Sequence, residues 1–259
     1  MTGPHTVWDY SGLVAAAYDE FFGGEPFRDQ AFFEERIRSN GGRALELACG
    51  TGRLLVPLLR DGLEVEGLDT SPDMLTLLRS KARRLGLRPA LHQAPMQSFD
   101  LPSRYRTVFV PAGTFMILVH DEEIRSTLAC CRRALEPGGE LLVPLDDREP
   151  APGEQVDWRE RRNVHVSTYD VQLRILERQR YDPSTGLTRW HLRYEATQPG
   201  RPVQVFDREH LLRHHATAAF IALLAQAGFE GISMRRGYTA PASTDPAEDR
   251  VFSARRPIH

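Results

Sequence analysis

Cysteine is scarce in this 259-residue chain: there are three, and two of them, Cys130 and Cys131, are neighbours. Such a set cannot staple a fold with disulfides and fits a reducing interior, so a cytoplasmic protein is expected. Charge of one sign is lacking as well, because 33 Lys and Arg against 35 Asp and Glu leave a net charge of −2. That balance argues against a surface holding nucleic acid by counterion release, and no block of like charge suggests a membrane-binding arm. Long apolar runs are missing. The longest, Val108 to Val119, is interrupted by Thr114 and falls short of the ~20 residues a spanning helix needs. Met1 to Tyr10 has neither a basic flank nor an apolar stretch, so no signal peptide is expected. Lysine occurs once, at Lys81, which reads as a high-GC coding bias. What is present is ordinary for a soluble globular protein, at 41% hydrophobic and 26% charged residues. At about 100–200 residues per domain, the length predicts one full domain with an inserted subdomain.

From Trp8 to about Asn40 apolar residues recur at helical spacing, predicting two helices broken at Gly23-Gly24-Glu25-Pro26. An alternating strand–helix series follows. Strands are expected at 43–48, 63–68, 88–93, 106–111 and 140–145. The intervening helices are expected at 53–60, 72–85 (Ser71 as N-cap, Pro72 at the first helical position) and 121–135, the last stopped by Pro137-Gly138-Gly139. Alternation of this kind implies parallel βαβ units. From about Val156 to Val205 the period changes to two. Trp190, Leu192, Tyr194 and Ala196 share one face of a strand, and Asp182-Pro183-Ser184-Thr185-Gly186 reads as a hairpin turn. A last helix, 217–227, and two closing strands near 229–235 and 250–254 complete the chain. The expected organisation is an N-terminal helical lid over 1–40, an α/β core over 41–150 and 215–259, and an antiparallel β insert over 151–214.

The most informative stretch is Glu46-Leu47-Ala48-Cys49-Gly50-Thr51-Gly52-Arg53, a buried strand running into a glycine turn. Gly50 and Gly52 carry no side chain to keep a ligand from the backbone, and the following helix offers unpaired N–H groups. Seventeen residues past Gly52, at the end of the second strand, stands Asp69, placed to accept two hydrogen bonds from a ribose diol. A dinucleotide fingerprint fails at its third glycine, where Leu55 stands, and no Gly-Lys-Ser/Thr completes a P-loop. Glu46 just before the turn would repel a pyrophosphate and suits a cationic ligand.

Glu46-Leu-Ala-Cys-Gly-Thr-Gly-Arg, then Gly67-Leu-Asp69-Thr-Ser-Pro-Asp-Met74-Leu, then Leu135-Glu-Pro-Gly-Gly-Glu-Leu-Leu resemble the successive motifs of class I S-adenosylmethionine-dependent methyltransferases, in order and in separation. The resemblance covers roughly residues 10–145 and 215–255 and is closest to the small-molecule subgroup with an N-terminal lid and a strand-rich insert. It implies a Rossmann-like, seven-stranded, mostly parallel sheet with helices on both faces and an antiparallel last strand. It also implies S-adenosylmethionine as cofactor. Carried onto this sequence, Gly50 and Gly52 would lie under the methionine part, Glu46 and Ala48 would border it, and Asp69 would hold the ribose hydroxyls. Thr70 and Met74 would flank the adenine. Where the family often has an acid beside the adenine amine, this chain has Pro95-Met96-Gln97, leaving Met96 and the Gln97 amide in its place. The loop Val110 to Phe115, including Ala112, would pass beside the reactive methyl, and Tyr10 and Tyr18 resemble lid tyrosines.

Methyl transfer needs alignment, exclusion of water and removal of a proton, so no fixed catalytic constellation is required. His120 is the first candidate for a base, against a plain role at a helix N-terminus; Tyr18 is a second candidate catalytic residue. His191 and Tyr194 lie on opposite faces of one strand, so at most one faces a pocket. His210, His214 and His215 lack a third ligand at suitable spacing, and no metal is expected. Arg132-Arg133 and Arg161-Arg162 read as solvated faces, and the Trp190 stripe as core more than substrate wall. The expected function is transfer of a methyl group to O or N of a small molecule such as a natural-product intermediate. Nucleic acid and membrane are not expected as partners. The insert would serve as substrate cover or as a homodimer contact. Two alternatives remain open. One is a protein of this family that binds the cofactor without transferring methyl. The other is a nicotinamide-dependent dehydrogenase.

Overall fold

The computed structural model describes residues 12–22, 28–146, 153–154, 158–239, 241–245 and 248–258. The chain begins with helices α1 (Gly12–Phe22) and α2 (Arg28–Asn40). Then follow β1 (Ala44–Leu47), α3 (Leu55–Arg60), β2 (Val65–Asp69), α4 (Pro72–Arg84), β3 (Leu91–Gln93), β4 (Tyr105–Phe109), α5 (Asp121–Ala134) and β5 (Leu135–Leu145). Five strands come next: β6 (Gly153–Glu154), β7 (Arg159–Val166), β8 (Val171–Asp182), β9 (Leu187–Thr197) and β10 (Gln204–Arg213). Helix α6 (Thr217–Gln226) and strands β11 (Glu230–Arg236) and β12 (Arg250–Arg255) close the chain. The expected break at 23–26 and the expected start of the first helix lie outside the described residues. Two compact units result, Met1–Glu25 with Glu149–His214 and Pro26–Arg148 with His215–His259. Among the described residues no helix is long and apolar enough to cross a membrane.

In the larger unit a seven-stranded sheet has the order β11-β12-β5-β4-β1-β2-β3, with β1, β2, β3, β4 and β5 parallel and β12 antiparallel to both its neighbours. All four residues of β1 are buried, as a central strand covered on both faces requires. Helix α4 shows how local sequence fixes an element. Ser71 Oγ accepts from Met74 N at 3.2 Å, Pro72 opens the first turn, and Met74, Leu75, Leu78 and Ala82 form the buried stripe. Each such large side chain contributes about 1.5–3 kcal/mol on burial.

One expected boundary is corrected. The strand after α5, expected at 140–145, begins at Leu135. Helix α5 ends at Ala134, because Leu135 is fully buried, extended (φ −73°, ψ 146°) and already paired with Tyr105 in β4. Pro137-Gly138-Gly139 therefore lies inside β5, where the register slips. At the strand-start end of this sheet, buried Glu140 receives the Arg36 guanidinium and the Asn40 amide (2.8 Å). This carboxylate has a structural role at the end opposite the strand C-termini.

In the smaller unit an antiparallel sheet has the order β10-β9-β8-β6, with β7 also paired to β8. The hairpin between β8 and β9 is the expected one: Asp182 pairs with Leu187, its Oδ1 accepts from Ser184 N at 2.9 Å, and Gly186 takes φ +67°. Leu192, Tyr194 and Ala196 are buried with Val166, Leu173, Ile175 and Ala17 of α1, so the stripe is core. Arg161 is not on a solvated face. It donates to Glu177 Oε2 at 2.7 Å and lies over the Trp190 ring at 5.0 Å. Arg159 and the Trp190 indole N–H also donate to Glu177, which is only 1% exposed and whose pKa these bonds lower against the cost of burial.

Candidate cofactor site

Strands β4, β1 and β2 lie side by side and parallel, so the loops leaving their C-terminal ends share one edge of the sheet, where ligands of open α/β sheets bind. Two of these loops contain non-glycine residues in left-handed conformation. Ala48 follows β1 at φ +55° and Ala112 follows β4 at φ +58°, beside Gly113 at +66°. Alanine pays for that conformation in strain, which such folds keep where a turn must hold a set shape.

Asp69 ties the turn together. Its Oδ2 accepts from Gly50 N at 2.8 Å and its Oδ1 from Ser71 N at 2.9 Å, linking the β1 turn to the start of α4. The Thr70 N–H donates as well, so of about four acceptor positions on the carboxylate one stays available to a ribose hydroxyl. Burial raises its pKa, and the bonds from Ser71, Gly50 and Thr70 hold the rise back. Cys49 Sγ packs where Gly67 has no side chain, since a Cβ there would lie 2.7 Å from the sulfur.

Gly52 has a packing role as well. A Cβ on Gly52 would sit 2.8 Å from Leu78 Cγ and 2.9 Å from Val56 Cγ2, and its φ is +83°. Its bare Cα lets α3 and α4 pack.

Glu46 is 2% exposed and its Oε2 has no hydrogen-bond partner among the described residues. Its carboxyl receives the backbone N–H of Leu55 at the start of α3. Burial pushes its pKa well above the carboxylate range; Arg53 opposes the rise, and Asp29 and Asp69 add to it. The Arg53 guanidinium is engaged by Asp29 in a two-pronged pair at 2.8 and 2.7 Å. Asp29, Asp69 and Arg53 all act on Glu46, and the Arg53 guanidinium is already taken by Asp29. Burial favours the neutral form of Glu46, and a ligand bearing a sulfonium and an ammonium would draw it into its ionised form, as a pyrophosphate would not.

The other expected site residues are placed as follows. Thr70 is exposed, Met74 is almost wholly buried on α4, Met96 is buried, and Gln97 is half-buried with its carbonyl receiving the Cys130 thiol at 3.4 Å. His120 is exposed and is the N-cap of α5, its N–H donating to Glu123 Oε2 at 3.4 Å. Tyr18 is half-buried on α1 in the smaller unit, and Tyr10 lies outside the described residues. Tyr194 is buried, which pushes its pKa up to about 12, while His191 on the opposite face stands 3.4 Å from Glu209. The three neighbouring histidines go separate ways: His210 beside Trp190, His214 to Thr188 Oγ1 at 2.8 Å, and His215 against Phe220. The Asp29–Arg53 pair was not anticipated. Only the position of Arg53 directly after the glycine turn could have signalled it.

Comparison with known proteins agrees with this geometry. A family model described as a methyltransferase domain matches residues 44–139. The dTDP-3-amino-3,4,6-trideoxy-alpha-D-glucopyranose N,N-dimethyltransferase of Streptomyces venezuelae is 26% identical over 225 residues, covering 83% of this chain and 89% of that protein. Several other curated relatives are matched over only about half of their own length. Among solved structures, an S-adenosylmethionine-dependent methyltransferase from Clostridium acetobutylicum superposes with a TM-score of 0.76 at 16% identity, over 94% of this chain and 97% of that one. CalS10, an amino pentose methyltransferase from Micromonospora echinaspora solved with S-adenosylmethionine bound, does so with a TM-score of 0.68 at 24% identity, over 97% and 100%. Sheet order, glycine turn and strand-end acid together define a Rossmann-like protein of the methyltransferase type. Residues 44–139 match a methyltransferase domain, and the chain has the fold of S-adenosylmethionine-dependent methyltransferases.

Proposed function

We propose that this protein methylates an amine nitrogen of a small, sugar-like natural-product intermediate in the cytoplasm. The observation that carries the reading is the uncompensated Glu46 oxygen beside a turn locked by Asp69, an acidic cradle built for a cationic adenosyl compound. The choice of nitrogen over oxygen is supported by the Streptomyces venezuelae relative, whose match spans both the sheet and the insert. When bound, S-adenosylmethionine supplies a methyl group on a cationic sulfur, an electrophile needing no further activation. Asp69 would hold a ribose hydroxyl, and Glu46 would answer the positive charge. The loop Val110 to Phe115 leaves β4 beside the turn and would exclude water from the reacting groups. His120, exposed at the N-cap of α5 a few residues beyond that loop, would take the proton of the methylated amine and pass it to solvent.

The test is incubation with methyl-labelled cofactor and paired amino and hydroxy sugars, followed by product analysis. N-methylated product with equimolar S-adenosylhomocysteine is expected, and His120→Ala should lower turnover by about 10²-fold while leaving cofactor affinity within twofold. Methylation confined to hydroxyl groups would overturn the choice of nitrogen. Full turnover in the variant would remove His120 from the mechanism.

A further inference from the structure

A second charged feature of the larger unit takes no part in the site described. Arg79, Arg83 and Arg88 line a groove of about 470 Å³ together with Gly86, Leu87 and Pro89. That volume falls in the range of roughly 300–1,000 Å³ typical of small-molecule sites. The groove lies along the second half of α4 and the connection to β3, the edge strand of the sheet. Arg83 is twelve residues beyond the N-cap Ser71, about 18 Å along the helix axis. Arg83 is thus well away from Asp69, while Arg79, a turn earlier, acts through its charge on the Cys49 thiol of the β1 turn.

Arg36, Arg53, Arg161 and Arg193 each answer a carboxylate. The side chains of Arg79, Arg83 and Arg88 make no ion pair or hydrogen bond with the described residues. Arg79 and Arg83 are four residues apart on one helix, so two like charges share a face and repel. Basic residues in a last turn offset the helix dipole, which accounts for Lys81, Arg83 and Arg84. It accounts neither for Arg79 in mid-helix nor for Arg88 beyond the helix end. Three unanswered guanidinium forks around one groove match the oxygens of phosphate groups, which accept paired N–H bonds. Leu87 and Pro89 provide apolar wall for the organic part of such a ligand.

We propose that the groove formed by Arg79, Arg83 and Arg88 binds the diphosphate group of a small molecule, at a site separate from the one that performs methyl transfer. The experiment is calorimetric titration of the full chain with inorganic pyrophosphate in magnesium-free buffer, repeated on an Arg83→Ala/Arg88→Ala double variant. One-to-one binding is expected, weakened at least tenfold in the double variant, with S-adenosylhomocysteine affinity unchanged within twofold as the check on folding. Uridine diphosphate separates two sources of the same chemistry. Competition with pyrophosphate assigns the groove to a nucleotide, and failure to compete assigns it to a free diphosphate; either upholds the groove as a diphosphate site. Absence of pyrophosphate binding to the unaltered chain, or equal binding by the double variant, overturns the proposal. This outcome is independent of whether the protein methylates an amine.

Discussion

Glu46 sets the charge of the cofactor site, and its burial has two opposite consequences. Because its folded-state pKa lies above that of the unfolded chain, the folded protein without ligand loses stability as pH rises from the ordinary carboxylate range toward the raised value. Glu46→Gln removes that penalty. The variant should melt higher than the parent at neutral pH in scanning calorimetry, while binding S-adenosylmethionine at least tenfold more weakly. A lower melting temperature would show that the carboxylate is compensated in the fold. Asp69→Ala acts in the same direction on both properties, because Gly50 N and Ser71 N lose their acceptor. A loss of about 1–3 kcal/mol in stability and at least tenfold in cofactor affinity is expected, the first by denaturant titration and the second by calorimetry. Both acids were legible in the sequence, since one precedes the glycine turn and the other ends the next strand. The Asp29–Arg53 pair was not, because its members lie 24 residues apart across a helix and a strand with no periodicity joining them.

At the scale of elements, the glycine turn and the two helices after it form one packed unit. Gly52→Ala would place a Cβ between Leu78 and Val56 at a backbone angle that alanine resists. Overpacking and strain together should cost about 2–4 kcal/mol, read as a lower denaturation midpoint with an unchanged slope. A neutral substitution would mean that α3 and α4 can move apart. Cap and stripe made α4 readable to within one residue, and the turn signal made the β8–β9 hairpin readable. The start of β5, expected at Glu140, was not, because a Pro-Gly-Gly segment reads as a break between elements. What decides the boundary is the pairing of Leu135 with Tyr105, a contact made 30 residues away. Local propensity carries no trace of such a partner.

For the whole molecule, the alternation of strands and helices and the change of period after it were enough to anticipate a parallel sheet and an antiparallel insert, while the last strand running the other way was implied by the family resemblance. The grouping of α1 with that insert could not be read from the sequence. Ala17 packs with Val166 and Tyr194, across more than a hundred residues of intervening chain. Composition likewise concealed the arginine groove, since a net charge of −2 averages it away.

The central claim is that the β1 turn receives a positively charged adenosyl compound. Calorimetric titration with S-adenosylmethionine in two buffers of different ionisation enthalpy tests it most directly. Saturable one-to-one uptake is predicted, with release of a proton as Glu46 ionises against the ligand, a release that disappears in Glu46→Gln. Well-folded protein that takes up NAD+ in preference to S-adenosylmethionine, or takes up neither, would contradict it.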